Sequence, residues 1–148
     1  LVSCEKLTAL RPRDFSVPIR RGHLLRKLGR PEDAVVSYDR AIELGGSSED
    51  LFNSHGNALK DLKKIDAAIL SYKKAIKIAP NASASYNNLG LCHYKLGEYE
   101  EAISCYKIAI NISSKNAAYY SNLGSSYYAL EQYEEAIYYL QKASDLPT

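Results

Sequence analysis

Methionine does not occur anywhere in the 148 residues, so the stretch does not open on a natural initiator, and an excised segment of a longer parent is the corresponding expectation. Cysteine is scarce too. Cys4, Cys92 and Cys105 are odd in number and show no CxxC or other paired spacing, which leaves no disulfide framework and no zinc ligand set. No apolar run approaches the roughly 20 residues that cross a bilayer. The N-terminal LVSCEKLTALRPRD also lacks the charged, apolar and small-residue order of a signal peptide. A cytoplasmic chain with reduced thiols and no membrane partner is expected. The net charge is only +2, too little for the phosphate neutralisation that non-specific nucleic-acid binding needs. Apolar residues, at 46%, supply enough material for a core.

That material is laid out in a repeating order. In Ser83 to Asn116, Tyr86, Leu89, Gly90, His93 and Leu96 fall close to the i, i+3, i+4, i+7 spacing of one helix face. Tyr99, Ala102, Ile103, Tyr106 and Ala109 keep the same period, and Gly97 lies between the stripes where a left-handed turn ends a helix. A helix, a tight turn and an antiparallel helix follow. Shifting this unit by 34 residues aligns Gly22, Gly56, Gly90 and Gly124, then Ala34, Ala68, Ala102 and Ala136. Further columns hold Ala41, Ala75, Ala109 and Ala143, and Tyr38, Tyr72, Tyr106 and Leu140. Small residues let backbones approach while a large one fills the adjacent hole, so these columns are expected at helix contacts.

Repeat length and columns together resemble the tetratricopeptide repeat, with its W-x2-L-G-x2-Y, A-x3-F, A and P pattern. The resemblance implies an all-α, right-handed superhelical solenoid of antiparallel helix pairs. Four units run 15–48, 49–82, 83–116 and 117–148, and residues 1–14 fit the second helix of a preceding repeat. The first unit departs most. Pro18 stands where the family prefers a large aromatic and Arg21 where it prefers Leu, so its first helix is expected to start near Val17.

Candidate chemistry is thin. His23, His55 and His93 belong to different units at different helix phases and are expected to be structural rather than one catalytic cluster. His55 and His93 replace core residues and need hydrogen bonds to be tolerated. Cys92 reads as a packed thiol. Glu100-Glu101 and Glu134-Glu135 suit second-helix N-termini, and the sequons at Asn81 and Asn111 matter only in a secreted protein. No enzyme activity and no cofactor are expected.

Binding is the better prospect, because stacked helix pairs present an extended concave surface, lined in this family by the first helix of each pair. Its outward positions carry Arg20, His23, Arg26 and Lys27 in the first unit and Asn53, Asn57 and Lys60 in the second. The third contributes Asn87, Asn88, Leu91, Tyr94 and Lys95, and the fourth Ser121, Asn122, Ser125 and Tyr128. Asn amides pair with both C=O and N–H of a peptide backbone, so an extended protein or peptide segment is the expected partner. Asn88 and Asn122 share one position in successive units, which is similar to the asparagine ladder in the repeat region of O-linked N-acetylglucosamine transferases. A substrate-targeting segment of a larger glycosyltransferase is the reading that similarity implies. The co-chaperone carboxylate clamp fits poorly, since Asn53, Ala118 and Asn122 stand where its cations are needed. Five basic residues and no acidic one between Phe15 and Arg30 form a basic first unit able to attract an acidic peptide. Terminal repeats leave a flank unburied, and the Tyr127, Ile137, Tyr138 and Leu140 region is expected to promote end-to-end homo-oligomers, the function of a structural spacer.

Overall fold

The hydrophobic period places the elements before packing is considered. The computed structural model describes residues 14–147, and among these the chain is all helix and turn, with no strand. The helices are α1 (Ser16–Lys27), α2 (Pro31–Glu43), α3 (Glu49–Asp61), α4 (Ile65–Ile78), α5 (Ser83–Lys95), α6 (Tyr99–Ile112), α7 (Ala117–Ala129) and α8 (Tyr133–Asp145). The leading helix expected over residues 1–14 lies, apart from Asp14, outside the described residues. Pro18 sits in the first turn of α1 and Pro31 opens α2, positions whose N–H has no helical acceptor to lose.

Every first helix ends alike. Gly29, Lys63, Gly97 and Glu131 adopt φ of 73°, 62°, 77° and 61°. The next residue returns its N–H to the carbonyl five before it: Arg30 to Leu25, Lys64 to Leu59, Glu98 to His93 and Gln132 to Tyr127. These closures satisfy carbonyls that a helix end leaves bare. At Gly97 the left-handed backbone is free of strain. Lys63 and Glu131 take it against a side-chain penalty of about 1–2 kcal/mol, so tertiary packing imposes the turn there.

Within a unit the decisive contact is a tyrosine ring on a glycine. A Cβ at Gly22, Gly56 or Gly90 would lie 2.5, 2.7 or 2.6 Å from a ring carbon of Tyr38, Tyr72 or Tyr106. The glycine column therefore receives a ring, a more specific task than the backbone approach its size suggests. Tyr38, Tyr72 and Tyr106 are completely buried, as are Ala34, Ala68 and Ala102 beside them. In the fourth unit Leu140 replaces the ring and still comes within 2.7 Å of a Cβ at Gly124. The resulting core is a row of three clusters spanning the helix pairs.

A buried tyrosine brings a hydroxyl that needs a partner. Tyr38 donates to His23 Nδ1 at 2.7 Å and Tyr72 to Asn57 Oδ1 at 2.5 Å. His23, Asn57 and Leu91 share one position at successive 34-residue steps, so the third unit offers a hydrocarbon there. Among the described residues the Tyr106 hydroxyl is buried with no partner.

Each second helix packs on its own first helix and on the next one, whereas neighbouring first helices also touch one another. Among the described residues, neighbouring second helices do not approach as closely as the first helices do, so the first helices line the inner, concave side. At the two ends of the described residues, columns that are buried elsewhere are exposed. Ile137 is 68% exposed where Ile103 is 9%, and Val17 is 64% exposed where Leu51 is fully buried. Tyr127 corrects the sequence expectation: it is buried and stacks on Tyr139, with ring planes 5° apart at 5.5 Å. Among the described residues no helix is long and apolar enough to cross a membrane.

The unequal hydroxyls give a test by urea denaturation. Tyr72→Phe should cost about 0.5–1.5 kcal/mol, while Tyr106→Phe should leave stability unchanged or raise it, because it removes a stranded group. Equal losses would show that the Tyr106 hydroxyl has a partner after all.

Candidate functional site

Among the side-chain hydrogen bonds that join neighbouring first helices, three share one spacing. Arg26 Nε donates to Asp61 Oδ2 at 2.8 Å, Asn88 Nδ2 to Asn53 Oδ1 at 3.0 Å, and Asn122 Nδ2 to Asn87 Oδ1 at 2.9 Å. All three partners are 35 residues apart, one more than the repeat. Adjacent first helices therefore meet along a diagonal, which columns aligned at 34 do not reveal.

The diagonal revises the free amide ladder expected from the sequence. Asn53 Oδ1 accepts from Asn88, and the single Ser85 hydroxyl proton is shared between Asn53 Oδ1 at 3.2 Å and Glu49 Oε1 at 3.1 Å. Asn57 spends its oxygen on Tyr72. Asn88 and Asn122 each keep an oxygen and one N–H, while Asn53, Asn57 and Asn87 keep their amide donors among the described residues. The asparagines build the inner wall and still present a mixed donor and acceptor surface.

The basic first unit is partly neutralised. Arg26 is paired with Asp61, and His23 places Nε2 3.2 Å from Asp50 Oδ2 while Nδ1 meets Tyr38. His23 thus has no ring nitrogen left for a ligand. Arg20 and Lys27 are exposed. His23, Arg26, Lys27, Tyr38 and Asp61 line an open depression of about 560 Å³. In the third unit Leu91 and Tyr94 are half-buried against the third core cluster, an inward role that their outward placement in the sequence did not anticipate. Tyr94 meets Tyr99 edge-on at 5.2 Å, and Tyr128 meets Tyr133 the same way at 5.5 Å. Ser121 and Ser125 are half-buried and Tyr128 is exposed. Lys60 is half-buried and Lys95 exposed.

The histidines do not assemble a catalytic group, although two lie closer than their sequence phases suggested. His23 and His55 flank the Tyr38 ring at 5.6 and 6.4 Å, and each has its own carboxylate. His55 Nε2 lies 2.9 Å from Asp39 Oδ1 and Nδ1 lies 2.7 Å from Ser71 Oγ. A carboxylate only accepts, so Nε2 is assigned the proton and Nδ1 accepts from the serine. His93 meets Glu98 at 3.3 Å. The acids at 39, 50 and 61 were missed from sequence because their partners sit in another unit. Burial raises the pKa of the Cys92 thiol and pushes that of Cys105 up to about 11, so both are protonated packing groups. Cys4 lies outside the described residues, and among the described ones no three His, Cys, Asp or Glu side chains could hold a metal.

Burial lowers the His55 pKa below 6.5 despite Asp39. Below 6.5 the unfolded chain then binds more protons than the folded one, so this contribution is full above 6.5 and is lost as pH falls through the folded value. The melting temperature should fall across that window, and His55→Gln should remove part of the fall. Parallel profiles for the two proteins would refute this account.

Three models of one repeat family match the chain: tetratricopeptide repeat over residues 81–147 and again over 19–44, and TPR repeat over 56–97. No curated protein matches significantly in sequence. Among solved structures, the crystal structure of MamA has a TM-score of 0.88 at 26% identity, covering 95% of this chain and 82% of its own. MamA from residue 41 to its end, from Desulfovibrio magneticus RS-1, gives 0.87 at 20%, with 94% and 78% covered. YrrB, described as a TPR protein with an unusual peptide-binding site, gives 0.83 at 23%, with 95% and 73% covered. At those identities the last two bear on fold alone. The columns, the ring-on-glycine contacts and three matching models converge, and the chain belongs to the tetratricopeptide-repeat family.

Proposed function

We propose that the chain is a non-catalytic interaction scaffold that holds an extended peptide, or an extended segment of a partner protein, along its concave groove. The observation that carries this reading is the hydrogen-bond accounting of the wall. After its internal bonds, the row from Asn53 to Asn122 retains both amide donors and carbonyl acceptors facing the inner side. Such a surface reads a backbone without regard to its side chains. The repeat family supports the scaffold role, and the peptide-binding site attributed to YrrB is a precedent in the same fold.

Peptides selected from a random library on the immobilised protein provide ligands for fluorescence anisotropy. Asn88→Ala combined with Asn122→Ala should weaken them by about 1–3 kcal/mol, the sum of two net hydrogen bonds. Val36 and Leu70 are exposed at 67% and 63%, and Val36→Ser with Leu70→Ser on their face should leave binding unchanged. The reverse pattern would move the site to the face carrying those residues.

End-to-end self-association has an observation of its own. Leu140 and Ile137 at one end, and Val17 and Leu24 at the other, occupy columns that are buried in the interior units. Sedimentation velocity should show association that grows with concentration and weakens on Ile137→Ser. A strictly monomeric protein at high concentration would count against it.

A further inference from the structure

Three joints separate the four first helices, and the 35-residue diagonal brings residues 26, 60 and 94 to residues 61, 95 and 129. At the first joint the pair is Arg26 and Asp61, opposite charges 2.8 Å apart. At the third it is Tyr94 and Ala129, without charge. At the second, the helices that join Asn53 to Asn88 carry Lys60 and Lys95 two turns further on, so the same diagonal puts two cations at positions that a salt bridge fills one repeat earlier, and Lys95 acts on Lys60 as a like charge.

No carboxylate among the described residues forms an ion pair with either lysine, and only the carbonyl ends of their own helices, whose last turns they occupy, favour the two charges. Lys60 is half-buried, and its ammonium makes no hydrogen bond or ion pair among the described residues. Burial first, then its cationic neighbours Lys95 and Arg26, hold its pKa below the usual lysine value; Cys92 and Asp61 oppose the shift. Asp61 is already engaged by Arg26, and Cys92 is a buried thiol with a raised pKa. The nearby helix-end carbonyls are already engaged once. Carbonyls of Ala58, Leu59 and Lys60, and of Cys92, His93 and Tyr94, already accept backbone N–H groups in the turns that follow. An ammonium held partly out of water beside a like charge is a costly arrangement that an anion between the two would reverse.

We propose that Lys60 and Lys95 form an anion-recognising station in the groove, which seats the side-chain carboxylate of an Asp or Glu within an extended peptide. This rests on the reading of the groove as a peptide site. An internal side chain is named because seating its carboxylate leaves the peptide backbone free to run along the unspent amides of Asn57 and Asn88. Asn57, one turn before Lys60 on α3, keeps an amide donor that can hold the peptide backbone beside the seated carboxylate. Two ammonium groups converging on one carboxylate give charge-assisted hydrogen bonds in a partly dry site, which favour acidic over neutral ligands.

The test uses two labelled peptides blocked at both ends, one with a run of glutamates in a Gly/Ser background and one with glutamines in their place. The glutamate peptide should bind at least about tenfold more tightly at low salt, and added salt should erode that preference. Lys60→Gln and Lys95→Gln should each bring the two peptides close to parity, with the loss falling chiefly on the glutamate peptide. The Lys60 ammonium pKa, followed by NMR, should rise when the glutamate peptide is added, a response that a merely structural lysine would not give. Equal affinities for wild type, or a glutamate preference that survives both substitutions, would overturn the station and leave the groove standing. If neither peptide binds and the side-chain amide signals of Asn88 and Asn122 stay unmoved, the groove reading fails and the station with it.

Discussion

A tyrosine ring pressed onto a glycine is the contact on which this solenoid depends. Tyr38, Tyr72 and Tyr106 reach from the second helix of a pair to the first, and the absent Cβ at Gly22, Gly56 and Gly90 leaves room for each ring. The contact sets how closely the two helices lie and how the pair is oriented. Alanines beside it complete a surface against which the next pair can stack. Because the interaction is local, it recurs without reference to the rest of the chain, which is why a chain with little long-range design can still form an extended fold.

The same ring couples the core to the groove. Its hydroxyl emerges next to the first helix and requires a partner from the concave wall, so His23 and Asn57 are committed to folding before they can serve a ligand. The third unit breaks this link by placing Leu91 there, with the Tyr106 hydroxyl left unpartnered as the consequence. Residues that look like binding groups in sequence thus divide into those consumed by structure and those with capacity remaining. Asn88 and Asn122 belong to the second group, each with an oxygen and an N–H unspent, and the ammonium groups of Lys60 and Lys95 form no ion pair among the described residues.

Much of the fold is legible in the sequence. Columns at 34 residues report contacts inside a unit, and helix period, turn position and the buried alanines follow from them. The candidate site is less legible. Its contacts run between units, so Asp50, 27 residues from His23, and Asp61, 35 from Arg26, were invisible as partners, and the use of Asn53 by Asn88 was hidden as well. Lys63 and Glu131 show the complementary failure, because residues that disfavour a left-handed turn adopt it under the same packing that Gly29 and Gly97 satisfy freely.

By itself the sequence determined the repeat, the helix pairs and the apolar faces, because these depend on spacing along one chain segment and on the size of a few side chains. Only the tertiary structure decided which polar groups remain available, because that depends on the stagger between successive pairs. The stagger carries Asp61 to Arg26 at one joint and Lys95 toward Lys60 at the next, so one repeating backbone yields a neutral contact in one place and an unbalanced charge in another.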